Sequence, residues 1–245
     1  MRTLKLTLAY DGTDYAGWQR QLNALAIQQV VEDAFAHYTG GEPPTVSGAG
    51  RTDSGVHALG QVASVNVEFD HPASAVMRAL NVRLPEAIRV IGAVDAAPGF
   101  HARIHAKGKS YRYRIARTPV SSPFERLYAW HVPWPLDLAA MREAAAHLVG
   151  RHDFASFQAA GTTIVATTRH LERLELVESA GELHIVADGE GFLRHMVRII
   201  TGTLVEVGSG QRDAASLPGV IAAKNRDAAG KTAPPHGLTL VAVKY

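Results

Sequence analysis

Residues 45–69 read TVSGAGRTDSGVHALGQVASVNVEF. Residues near 45–47 read as a short strand, and QVASVNVEF (61–69) alternates like a second one, so the loop between them joins two strands. Glycines at 48, 50, 55 and 60 surround Arg51, Asp53 and His57 in that loop. Glycine accepts backbone conformations closed to other residues and lets another backbone or a ligand approach closely, at a cost in chain entropy. So rich a cluster marks either a hairpin turn or a site.

Two consecutive strands at this point decide the fold class. Ahead of them, Leu4, Leu6 and Leu8 alternate with Lys5 and Thr7 as a strand. Ile27, Val30, Val31, Ala34, Phe35 and Tyr38 then share one face of an amphipathic helix stopped by Gly40-Gly41. Behind them, SAVMRALNVRL reads as a helix with Ser74 as its cap, ending before Pro85, and IRVIGAVDA (88–96) as a strand. Strand, helix, strand, strand, helix, strand is the split βαβ, or ferredoxin-like, order.

The second half repeats it loosely. Strand 109–117 and a strand-like segment at 127–132 precede a helix with an Asp137 cap and a Gly150 stop. Strands near 170–178 and 182–188, a long helix over 192–208, a short helix near 216–224 and a closing strand follow. The expected fold is therefore α+β, with two related halves sharing one sheet. Residues 1–105 carry the glycine loop, and 106–245 carry the tyrosine strand and the long helix.

Composition narrows the function classes. The chain has no cysteine, which excludes disulfides and suits a reducing cytoplasm. The N-terminus alternates from the start and lacks the apolar core of a signal peptide, and no stretch approaches a membrane span. A net charge of +2 is too small to decide for or against a polyanion, so placement must. A phosphate-cradling loop needs Lys-Ser/Thr after its second glycine, yet Val56-His57 follow Gly55. A dinucleotide loop would need glycine where Asp53 stands, and GKS at 108–110 puts Arg103 where its first glycine belongs. His101 and His105 have the spacing of a zinc helix but not its glutamate, since residue 102 is alanine. There is no Gly-x-Ser-x-Gly elbow either.

Two places remain that can carry chemistry. SYRYR puts Tyr111, Tyr113 and Ile115 on one strand face and Arg112 and Arg114 on the other. The arginines make either a solvated face or, with Arg103, Lys107, Lys109, His101 and His105 close by, a surface for a polyanion such as RNA. In the long helix, Arg198 stands among Val197, Ile199 and Ile200. An arginine there either snorkels to solvent or needs a carboxylate or phosphate, and Asp53 is one candidate partner.

GAGRTDSGVHALGQV resembles the catalytic motif of the TruA-type tRNA pseudouridine synthases. YDGTDYAGWQRQ, FHARIHAKGKSYRYRI, GRHDFASF, GFLRHMVRIITGTLVEVG and GLTLVAVKY match further blocks of that family in order, over essentially the entire chain. Gly48 and Ser54 depart from the family's usual Cys and Ala. The resemblance implies a pseudouridine synthase fold of two ferredoxin-like halves joined by a central sheet, acting as a homodimer. It implies isomerisation of uridine to pseudouridine at positions 38–40 of the tRNA anticodon arm, with no cofactor and no metal. By motif position it makes Asp53 the catalytic carboxylate and Arg198 its partner. Tyr111 would pack against the target base, and Arg51 would fill the space the base vacates. A non-catalytic RNA-binding protein of the same fold and, more remotely, a metal-dependent hydrolase are the rival classes.

Overall fold

The computed structural model describes residues 1–162 and 165–245. These fall into two compact units, Met1–Lys107 with Leu240–Tyr245, and Gly108–Thr239. Both are α+β.

The first unit contains β1 (Arg2–Tyr10), α1 (Ile27–Thr39), β2 (Val46–Gly48), β3 (His57–Val67), α2 (Ala73–Arg83) and β4 (Ile88–Asp95). β1 lies between β4 and β3, antiparallel to both, and β2 pairs antiparallel with β3 at Val46↔Val65 and Gly48↔Ala63. That is the split βαβ arrangement. Leu4, Leu6 and Leu8 of β1 and Ile27, Val31 and Phe35 of α1 are all fully buried, as the alternation and the helical spacing require. Gly40 ends α1 in a left-handed conformation, φ 69°, with its N–H on the Ala36 carbonyl.

Two boundaries differ from the sequence reading. β3 begins at His57 rather than 61, because Tyr10 pairs with Ala58 across a bulge next to Leu8↔Gln61. Ser74 is not the cap of α2. Pro72 takes that position, and its carbonyl accepts from the Ala75 and Val76 amides.

The second unit contains β5 (Gly108–Ala116), β6 (Trp130–His131), α3 (Leu138–Ala146), β7 (Gly150–Asp153), β8 (Thr168–Ser179), β9 (Glu182–Gly189), α4 (Met196–Gly208) and α5 (Leu217–Ala223). Strands β5, β9, β8 and β7 are antiparallel neighbours in that order, and the short β6 runs parallel to β5, so the strand set is mixed. The closing strand β10 (Leu238–Lys244) spans the point where the chain passes from the second unit back into the first.

Asp137 caps α3 as expected, its carboxylate accepting from the Ala139 and Ala140 amides. Gly150 does not stop that helix, which ends at Ala146; it opens β7 instead, with φ 110°. α4 starts four residues later than its apolar pattern suggests. His195 adopts a left-handed φ of 62°, which no α-helix can pass through, so Phe192, Arg194 and His195 lie outside it. Nearly all of α4 is buried, and its Gly202 faces the Lys231 carbonyl at a distance that leaves no room for a β-carbon.

β5 and β9 are also joined by charge. Arg114 donates to Glu182 through Nε (3.0 Å) and Nη2 (2.6 Å) and also pairs with Glu125, while His184 Nε2 lies 2.7 Å from Glu182. Arg114, and after it His184, hold the Glu182 carboxyl down to about 2. The folded value lies below the ordinary 4.5, so this contribution is complete above about pH 4.5 and is lost as pH falls towards 2. The melting temperature should therefore fall across that window, and Glu182→Gln should remove part of the fall, equivalent to at most about 3 kcal/mol. Equal acid sensitivity in wild type and variant would contradict the assignment.

Candidate active site

In the first unit, residues 49–56 connect β2 to β3 and carry Arg51 and Asp53. The loop is irregular but well supported. Its Thr52 carbonyl accepts from the Trp18 amide (3.1 Å), and the Gly55 amide and Ser54 hydroxyl both donate to the Tyr15 carbonyl (3.3 and 3.2 Å). Val56 N–H closes a turn onto the Asp53 carbonyl (3.1 Å), with Gly55 left-handed at φ 76°. Beneath it, the buried Thr52 hydroxyl is 2.9 Å from Tyr10 Oη, and Gln61 Nε2 donates to the Gly50 carbonyl (2.9 Å). Burial pushes the Tyr10 hydroxyl up to about 12, so it stays protonated as part of this network.

The loop's support comes from residues 10–18, a segment whose role the sequence reading did not see. A β-carbon on Gly17 (φ 84°) would stand 2.4 Å from the Thr52 carbonyl oxygen, and one on Gly12 would stand 2.1 Å from that of Val56. His57 Nδ1 accepts from the Gly12 amide (3.0 Å) and is 3.1 Å from an Asp11 carboxylate oxygen. The glycines that flank the loop, at the end of β2 and within β3, are used in the same way. Gly48 lies against the Trp18 indole and Gly60 against the Val241 carbonyl, each too close for a β-carbon. Their lack of a side chain thus serves the protein's own packing. Two glycines among the aromatic residues of YDGTDYAGW were the available signal of a close approach.

Asp53 is half-buried and Arg51 exposed. Arg51 Nε donates to Gln19 Oε1 at 3.2 Å.

In the second unit, Tyr111 sits on β5 opposite Ala187 of β9, buried with Tyr113 and Ile115 on one face. Phe192, displaced from α4 by the turn at His195, meets the Tyr111 ring edge-on, 5.0 Å between centroids and 80° between planes. Arg198 lies in the first turn of α4. Its Nε donates to the Ala233 carbonyl (2.9 Å) while its own carbonyl accepts from the Ala233 amide (3.1 Å). Tyr113 Oη donates to the Pro234 carbonyl (2.8 Å); burial raises that hydroxyl well above its ordinary value, and the Arg198 charge opposes the rise. Of the strand's arginines, Arg114 is committed to Glu182 and Glu125, which removes it as a phosphate reader.

The four residues singled out from sequence thus occupy two settings. Asp53 and Arg51 share one loop of the first unit, and Tyr111 and Arg198 stand on β5 and α4 of the second. Among the described residues no group of three or more His, Cys, Asp or Glu is placed to hold a metal, and no helix is long and apolar enough to cross a membrane.

The model of the tRNA pseudouridine synthase family matches residues 7–103 and 144–245. The chain is 48% identical over its full length to the tRNA pseudouridine synthase A of Geobacter sulfurreducens, and the alignment also covers all of that protein. Identity is 46% to that of Syntrophotalea carbinolica, over all of this chain and 97% of the other, and 44% to that of Geotalea uraniireducens, over all of both. A chain in a crystal structure of a Cbf5–Nop10–Gar1 complex aligns with a TM-score of 0.37 and 11% identity over 82% of this chain and 45% of that one, too low to inform the fold. The protein belongs to the tRNA pseudouridine synthase family. Members are isomerases that act on uridine in tRNA.

The contact at Gly17 yields a specific expectation. Gly17→Ala adds a β-carbon at a left-handed position against the Thr52 carbonyl, which should cost about 3 kcal/mol in a chemical denaturation curve. The strain falls on the loop that carries Asp53, so tRNA isomerisation should slow far more than tRNA binding weakens. An alanine variant with wild-type stability and rate would show that the loop is not held there.

Proposed function

We propose that the protein isomerises uridine to pseudouridine at positions 38, 39 and 40 of the tRNA anticodon arm, with Asp53 as its catalytic carboxylate. The observation that carries this reading is the family match, which runs through both units and includes the Asp53 loop.

The reaction requires the C1′–N1 glycosidic bond to break, the uracil to turn, and C5 to bond to C1′. A hydrogen then leaves C5 for water and N1 gains one, so the RNA mass is unchanged. An ionised carboxylate serves such a reaction as nucleophile or as base at the sugar. Asp53 suits that task because it is partly exposed on a loop whose backbone is fixed on both sides. Arg198 is the cation that keeps the carboxylate charged and aimed. In support, its guanidinium Nε is already directed by the Ala233 carbonyl and its helix is nearly all buried, which removes rotational freedom from the side chain.

Tyr111 packs against the target base, its ring braced by Phe192. Arg51 fills the gap the base leaves, offsetting the few kcal/mol that unstacking costs. An exposed arginine whose Nε donates to the neutral Gln19 amide oxygen is suited to that work. The working form is a homodimer in the cytoplasm, consistent with a chain that lacks cysteine.

The test is release of tritium into water from tRNA labelled at uracil C5, in the presence of EDTA, with the RNA left uncut. Wild type should release it and Asp53→Asn should not, although the variant's tRNA affinity stays within a few-fold of wild type. A non-catalytic RNA-binding protein would release none, and a hydrolase would shorten the RNA. Substantial release by Asp53→Asn in a single turnover would overturn the role of Asp53, and no release by wild type would overturn the function.

A further inference from the structure

Arg51 is tied to the protein by a chain of side chains with a defined direction. It begins at Glu32 on α1, a carboxylate only 5% exposed. Glu32 Oε2 accepts from Arg20 Nη1 (2.8 Å), and Oε1 accepts from the Val46 amide (3.1 Å) and from Gln28 Nε2 (2.9 Å). An ionised carboxylate can only accept. It therefore obliges the Gln28 amide to point its nitrogen at Glu32 and its oxygen the other way. That oxygen accepts from Gln19 Nε2 (2.6 Å) and from the Arg20 backbone amide (3.0 Å). With its nitrogen engaged in turn, Gln19 has its oxygen left to present, and Arg51 Nε donates to it at 3.2 Å. Reversing either amide would set nitrogen against nitrogen, so the charge on Glu32 fixes the sense of every link up to Arg51.

We propose that Gln19, oriented by Gln28 and Glu32, is a positioning residue for Arg51. It holds the guanidinium beside the Asp53 loop without neutralising it. The choice of an amide over a carboxylate is the telling feature. Asp or Glu at position 19 would aim the arginine as well, but would also pair with its charge and compete with the RNA for it. A neutral acceptor sets direction and leaves the full charge and the planar face available. Among the described residues this is the hydrogen bond Arg51 makes, and no ion pair accompanies it. The relay also reaches the start of β2 through the Val46 amide, so the strand that leads into the loop and the side chain that leaves it refer to one buried anion.

The inference rests on the role proposed above for Arg51, and a double-mutant cycle separates the two. Gln19 is exposed, so Gln19→Met should fold normally, which circular dichroism and a thermal melt check. Single-turnover isomerisation and tRNA binding are measured for wild type, Gln19→Met, Arg51→Ala and the double variant. A 2-aminopurine next to the target uridine reports base extrusion in each. Gln19→Met should slow extrusion and turnover roughly ten-fold in the presence of Arg51, with little change in tRNA affinity, and should have no further effect in the Arg51→Ala background. Glu32→Gln, which removes the charge that orients the relay, should reproduce the slower extrusion. If Gln19→Met slows turnover equally in both backgrounds, its role is structural and the positioning assignment falls while that of Arg51 stands. If Arg51→Ala turns over at the wild-type rate, the role of Arg51 falls, and the assignment of Gln19 falls with it.

Discussion

Two irregular stretches of backbone, residues 11–18 and 52–56, approach each other more closely than a β-carbon allows, and the candidate site depends on that approach. Residues 17 and 18 are held from both sides. Their carbonyls accept from the Ile27 and Gln28 amides (3.0 and 2.9 Å) at the start of α1, a helix whose cap residue, Ala26, offers no side chain for the purpose. The Trp18 amide donates in the opposite direction, to Thr52. A loop that would otherwise be mobile is thereby referred to the end of a packed helix. That is what a catalytic carboxylate needs, since small misplacements of a reacting group are costly in rate.

Polar groups rather than apolar ones complete the arrangement. Tyr10, Thr52 and Gln61 are buried under the loop, and Gln28 and Glu32 beside it. A buried polar atom without a partner is far more expensive than a satisfied one is helpful. The network therefore contributes little net stability and a great deal of specificity of conformation. Glu32 has three donors, which compensates its removal from water, and the same donors tie α1 to β2 and to the residues that reach Arg51.

How much of this was legible in the sequence follows from how local each feature is. The alternation of Leu4, Leu6 and Leu8 and the apolar face of α1 ending at Gly40 are local, and both elements stand where the pattern puts them. The start of β3 depends on pairing with Tyr10, some fifty residues away in the chain, so no local pattern could show it. At α4 the apolar face continues through Phe192, and the pattern gives no sign that His195 interrupts it. The same holds for the site. Asp53, Arg51, Tyr111 and Arg198 stood out through residue type and family resemblance. The residues that support them, such as Gly17, Gln19, Gln28 and Glu32, acquire their roles only when α1 and the glycine loop come together.

The central claim, that the Asp53 loop is fixed through Trp18, is tested most directly by hydrogen exchange of the Trp18 amide in the free protein. An amide in an irregular segment ordinarily exchanges quickly. If it is bound to the Thr52 carbonyl as described, it should exchange about as slowly as the Ile27 and Gln28 amides and the central amides of β1. Exchange at the rate of an exposed loop amide would contradict the account, because the loop would then be free of the segment said to hold it.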